Sequence, residues 1–184
     1  MKKILIITAT LLFMATVSYS QNLRNNKFNL PVVENEIAFF TIDTVRNLTK
    51  SDFYEFTKDW FNQTFSSVTY KTDNTLPNNK AGVLVGIVTF KIDDQNIKAP
   101  LHYTAKVTVK FINGIANVKL HNLAYTTSDG KSKYPTDVTN EVKQQILAKA
   151  DELYPNTWNS LKDFANDLLQ NFVDFMYDKN MEKL

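Results

Sequence analysis

Between Leu48 and Phe65 the chain reads LTKSDFYEFTKDWFNQTF, and its apolar positions recur every three to four residues. At about 100° per residue, Phe53, Phe56, Thr57, Trp60, Phe61 and Thr64 fall on one side, with Tyr54 and Phe65 at its rim. Glu55, Lys58, Asp59, Asn62 and Gln63 fall on the other. This pattern predicts an amphipathic helix that buries its rings. Thr49 and Asp52 have the spacing of a capping box, and Leu48 and Phe53 that of a hydrophobic staple. A second helical stripe runs from Trp158 through Leu161, Phe164, Ala165, Leu168, Leu169, Phe172 and Phe175 to Met176, with Asn156 as the expected N-cap. A shorter helix is expected over 137–153, ended by Pro155.

Elsewhere the period is two. Residues 36–45, 66–72 and 81–92 read as strands, and 101–126 reads as two strands joined by Asn113-Gly114, a strong hairpin signal. A two-residue turn there pairs Phe111 with Ala116, Val109 with Val118 and Val107 with Leu120, so one face is apolar. The other face carries Thr104, Lys106, Thr108 and Lys110 opposite Asn117, Lys119 and His121. The alternation slips at Asn122-Leu123, which predicts a bulge. Strand 81–92 is apolar on both sides, so either another segment, with 137–153 the candidate, covers its outer side, or an apolar strip is open to a ligand.

The element order β-α-β-β-β-β-α-α predicts a two-layer α+β domain over 36–184: a curved antiparallel sheet of about five strands with helices on one face. The expected core contains Phe53, Phe56, Trp60, Phe61, Val107, Val109, Trp158, Leu161, Leu168 and Phe172. Residues 21–35, polar and rich in Asn, read as a flexible lead-in.

Composition changes this picture in two ways. The start, MKKILIITATLLFMATVSYS, has two lysines, an apolar run and a small-residue end, and reads as a secretory signal peptide cleaved after Ser20. The apolar run is short for a membrane span, so no stable membrane insertion is expected after cleavage. The 21 basic residues lose Lys2 and Lys3, leaving 19 against 19 acids. The mature chain is neutral, and its charge gives no reason to expect a nucleic-acid partner. The chain contains no Cys, which rules out lipoprotein attachment, disulfides and thiol chemistry. The expected location is the periplasm or the cell exterior.

The leader, LTKSDFYEFTKDWF after a strand, KAGVLVG opening the next long strand, the alternating hairpin and YPNTW before the final helix together carry a resemblance. The mature chain resembles the bacterial secreted family known as domain of unknown function 4468, which has a TATA-binding-protein-like (TBP-like) fold. The resemblance implies that fold and export. It implies no activity, and the fold name brings no DNA binding with it.

Candidate chemistry is sparse. His102 and His121, the only histidines, are set about 13 Å apart along neighbouring strands, a poor metal pair. Asp93-Asp94 reads as turn chemistry. No nucleophile motif or Gly-rich phosphate loop is present, so no catalytic residue, metal or cofactor is assigned. What stands out is Lys106, Lys110 and Lys119 converging on the wet sheet face with no acid among them, beside Thr104, Thr108 and His121. The reading is a non-catalytic binding or scaffold module of the cell envelope, taking an unknown envelope protein or polymer on that face. Two alternatives stay open: a small apolar-ligand carrier with a cavity between sheet and C-terminal helix, and an unrecognised hydrolase.

Overall fold

The structure, a computed structural model, describes residues 28–44, 48–65, 68–72, 82–92, 101–112, 114–127, 135–147 and 155–183. The remaining residues, including those read as a leader and Asp93-Asp94, read as a turn, lie outside the described set. A small hairpin of β1 (Val32–Val33) and β2 (Glu36–Ile37) leads into β3 (Phe39–Thr44). Then come α1 (Lys50–Thr64), β4 (Val68–Thr72), β5 (Gly82–Ile92), β6 (Leu101–Ile112), β7 (Ile115–Thr127), β8 (Thr136–Asp137), α2 (Val138–Leu147) and α3 (Pro155–Met181).

The main sheet runs β3-β7-β6-β5-β4, entirely antiparallel, with β8 added to β7. The β6–β7 register pairs Phe111 with Ala116, Val109 with Val118 and Val107 with Leu120. The ladder shifts between Thr104–Ala124 and Lys106–His121, so one extra β7 residue opposes Ala105. Asn122 absorbs it at φ 51°, a conformation that Asn tolerates better than most residues.

One face of this sheet is dry. There α1 packs on β5, β6 and α3, and α3 packs on β3 and β5. The α1 capping box forms in both directions, with Asp52 N–H donating to Thr49 Oγ1 and Thr49 N–H to the Asp52 carboxylate. Of the ring stripe, Phe53, Trp60 and Phe61 are buried and Phe56 is half-buried against the core. Phe53 stacks on Phe111 at 4.3 Å, and Trp60 meets Phe172 edge-on at 5.0 Å while its Nε1–H donates to Asn171 Oδ1. Val107, Val109, Trp158, Leu161, Leu168 and Phe172 are buried in the same cluster. Trp158 donates to Gln145 Oε1, so α2 is tied to α3.

The described part of the lead-in, from Phe28 on, differs from expectation. Phe28 and Leu30 are buried in the main core, and Phe28 lies against Trp158. Ala38 N–H donates to the Pro31 carbonyl and Ile37 N–H to Thr139 Oγ1. Two apolar side chains anchor a stretch whose Asn content suggested a loose tail, and the strand expected over 36–45 breaks at Ala38 to make room for the hairpin. Helix α3 also begins at Pro155, one residue before its expected cap; Pro suits a first helical turn, where no N–H is needed.

Candidate functional site

The other sheet face is formed by alternate residues of the same strands. Register aligns them in rows: Ile42, Asn117, Lys110 and Val83 in one; Phe40, Lys119, Thr108 and Val85 in the next; then His121, Lys106 and Ile87. A polar stripe on β6 and β7 is therefore flanked by apolar residues of β5 on one side and β3 on the other. The rows line a groove of about 580 Å³, closed at one end by Val33 and Glu34 of the β1–β2 hairpin.

Helix α2 does not cover this groove. It packs against β7 and β2 and is tied to α3, on the dry side of the sheet. The outer side of β5 is instead a groove wall: Val85 is buried, and Val83 and Ile87 are half-buried. On the far wall Phe40 and Ile42 are 53% and 61% exposed, and neighbouring Ile115 is 47% exposed.

The three lysines are not equivalent, and the expectation of an acid-free triad is overturned. The hairpin brings Glu34 and Glu36 onto Lys119, at 3.1 and 3.0 Å. Those acids sit 85 and 83 residues away in sequence, Glu34 in the segment expected to be loose and Glu36 at the start of the strand expected over 36–45. Burial works to lower the Lys119 pKa, but the Glu36 and Glu34 carboxylates outweigh it and raise it. Lys106 and Lys110 have no carboxylate partner among the described residues. They flank Thr108 on β6, about 13 Å apart.

His121 completes the cluster. Its Nε2 lies 2.9 Å from Thr108 Oγ1 and its Nδ1 3.4 Å from Glu36 Oε1. Burial holds its pKa below the usual value despite the pull of Glu36, and Lys119 and Lys106 push the same way as burial. The ring is thus neutral at pH 7, and the ion pair of Glu36 is with Lys119. With Nδ1–H turned to Glu36, Nε2 accepts from the Thr108 hydroxyl.

This hydroxyl–imidazole–carboxylate line has the outline of a nucleophile relay, and it went unseen in the sequence because Glu36 arrives from the hairpin. It lacks the surroundings of one. Thr108 sits mid-strand with neighbours on both sides, so the adjacent main-chain amides are committed to ladders instead of being turned towards an oxyanion. Thr104 is exposed on the same face beyond the bulge. His102 opposes Thr126, four residues along β6 from Lys106, and is not brought to His121. Among the described residues no group of three or more His, Asp or Glu is placed to hold a metal, and no helix is long and apolar enough to cross a membrane.

The dry side has a groove as well. About 710 Å³ lies between the end of α1, β5 and α3, over Phe65, Phe90, Phe164 and Leu168, with Asn171 and Asp167 at its rim. Rings fill the interior beneath it: Phe90 stacks on Phe164 at 4.3 Å and on Tyr103 at 5.4 Å.

No protein-family model and no curated protein sequence matches the chain. Two solved structures resemble it. A DUF4468 family protein from Bacteroides ovatus ATCC 8483 superposes with a TM-score of 0.59 at 14% identity, covering 84% of this chain and 94% of that one. A TBP-like protein from Parabacteroides distasonis ATCC 8503 gives 0.54 at 10% identity, covering 78% and 96%. The resemblance read from the sequence thus meets a DUF4468 protein in three dimensions, and at these identities the likeness establishes the fold: this chain is an α+β domain of the TBP-like kind.

Proposed function

We propose that this chain is an exported, non-catalytic binding module of the bacterial cell envelope, related to the DUF4468 proteins, and that its contact surface is the outer sheet face. The observation that supports it most is the composition of the groove. Lys106 and Lys110, two cations with no carboxylate partner among the described residues, stand between apolar walls made by Val83 and Val85 on one side and Phe40 and Ile42 on the other. Such a surface suits an envelope protein or polymer that presents acidic groups beside apolar ones.

The test is an NMR titration of the mature chain with dodecyl phosphate below its micelle concentration. Shifts should centre on Val83, Lys106 and Lys110, weaken with salt, and vanish in the double variant Lys106→Glu, Lys110→Glu. Lys119 is left intact because it holds the hairpin. The carrier reading has its own observation, the dry-side groove, and shifts centred on Phe90, Phe164 and Leu168 would favour it. A folded protein that shifts at neither place refutes both. Export is checked by N-terminal sequencing of the protein from cell fractions: the mature chain should start at Gln21, and a chain retaining residues 4–17 would overturn it.

A further inference from the structure

Strand β3 closes one end of the main sheet, and among the described strands only β7 pairs with it, along one of its edges. In an antiparallel strand the N–H and C=O of each residue point to the same side, and the side alternates along the chain. Two bonds show which residues turn away from β7. Ala38 N–H donates to Pro31 of the β1 segment, and Thr44 N–H to the Asp43 carboxylate. By alternation the N–H and C=O of Phe40 and Ile42 face that same side, where no described strand lies beside them. The side chains of these two residues are also exposed, next to exposed Ile115. These three are the majority of the five exposed large hydrophobic residues in the described chain, the others being Tyr177 and Met181. The edge carries no Lys, Pro or bulge between Phe39 and Ile42 to discourage pairing.

We infer that this edge pairs with the same edge of a second copy of the chain, β3 against β3 about a twofold axis at Thr41. The free groups select that register. It sets Phe40 opposite Ile42 of the partner copy as a hydrogen-bonded pair, and the symmetry repeats this. All four free main-chain groups are then satisfied, and the Thr44 N–H stays with Asp43. The same register lays each Phe40 ring edge to edge with an Ile42 side chain on the outer face, bringing together the two most exposed large apolar residues among the described side chains of the sheet. Centring on Ile42 instead would set Phe40 opposite Thr44, whose N–H is already taken. An unrelated extended peptide could use the edge, but this strand is its own complement in both hydrogen bonds and side chains.

The open stretch is short, because β1 occupies the edge at Ala38 and Asp43 caps it at Thr44. An interface of this kind falls below about 1,200 Å² and is weak and concentration-dependent. The axis stands across the sheet, so both outer faces end on one side. The two Lys106–Lys110 pairs then lie about 24 Å apart, five strand spacings, on one continuous surface.

The chain has no Cys, so a single introduced thiol reports the register cleanly. In the proposed pairing Thr41 opposes its own copy as a non-hydrogen-bonded pair, about 4.5 Å between Cα atoms, within disulfide reach. Asp43 lies about 13 Å from its copy, outside it. Under mild oxidation Thr41→Cys should give a covalent dimer on a non-reducing gel, and Asp43→Cys should not. Sedimentation of the unmodified mature protein should show concentration-dependent dimers that Ile42→Lys removes while circular dichroism stays unchanged. Equal cross-linking of both variants, or a wild-type protein that stays monomeric to millimolar concentration, overturns the proposal. So does an Ile42→Lys variant that folds and still dimerises. None of these readouts depends on a ligand, so they are separate from the test of the groove.

Discussion

Replacing Gly86 with Ala is the sharpest probe of how the ring-rich helix sits on the sheet. Gly86 faces the helices from the middle of β5, paired with Val107, and the Phe61 ring lies directly over it. A Cβ at Gly86 would stand 2.5 Å from Phe61 Cε1 and 2.9 Å from Cζ. Carbon atoms rest at about 3.5–4.0 Å, so the ring has to retreat by about 1 Å. It has little room to do so, being fully buried with Trp60 edge-on at 5.2 Å and Phe65 at 5.9 Å. Overpacking of this kind costs about 1–3 kcal/mol. Ala in place of Gly in a strand returns about 0.5–1 kcal/mol, so the expected net loss is about 1–2 kcal/mol. Urea unfolding with an unchanged m-value measures it. Gly82→Ala is the control: its Cβ would meet Lys50 Cε at 3.6 Å, an ordinary contact, and should be neutral or slightly stabilising. Phe61→Leu should relieve the clash, so the double variant should be more stable than the two single losses add to, by about 1 kcal/mol. A neutral Gly86→Ala, or one equally costly in both backgrounds, would refute the close approach of helix to strand.

Trp60→Ala should cost about 3–5 kcal/mol by denaturation, since a buried ring and its bond to Asn171 are both lost; a loss under about 1 kcal/mol would show the stripe is not core. Thr57 is fully buried and its hydroxyl has no hydrogen-bond partner among the described residues, so Thr57→Val, which keeps the shape, should raise stability by about 1 kcal/mol. The folded-state pKa of His121 lies below its unfolded value, so the unfolded chain binds the extra proton first. Stability should therefore fall as pH drops below about 6.5, and His121→Gln should flatten that part of the pH–stability curve measured by thermal unfolding.

How much of this was legible follows from the range of each signal. The Thr49–Asp52 cap, the Ile112–Ile115 pairing at the end of the hairpin and the two ring stripes are encoded within a few residues of themselves, and they appear where the pattern puts them. The β6–β7 register followed because a one-residue slip would turn Val107, Val109 and Phe111 to water. The β1–β2 hairpin was not legible. Its turn holds Glu34 and Asn35 at φ 51° and 67°, and Glu in the left-handed region is no turn signal. The strand order was hidden too: β3 pairs with β7 across the intervening α1 and β4–β6. Because Glu34 and Glu36 reach Lys119 only through that topology, the electrostatics of the groove could not be read from β6 and β7 alone.

The hairpin also changes what the groove can discriminate. A surface with three free lysines would take any anion, and salt would screen it readily. Glu34 and Glu36 occupy Lys119, and Glu36 orients His121, which leaves Lys106 and Lys110 on β6 as the lysines of this face with no carboxylate partner among the described residues. Glu34 does so from a backbone conformation costly for a side chain with a Cβ, on the order of 1 kcal/mol. The ion pair with Lys119 helps hold it there. The residual charge sits over Thr108, between walls about 14 Å apart from β5 to β3. A small inorganic anion would touch the lysines and leave Val83, Phe40 and Ile42 wet. A partner with acidic groups set between apolar ones would cover all of them. The fold needs none of these apolar side chains outside, since its core is already filled by Phe53, Trp60, Phe61, Trp158 and Phe172. Their exposure on one face, beside Lys106 and Lys110, is the reason to look for the partner there and not among the helices.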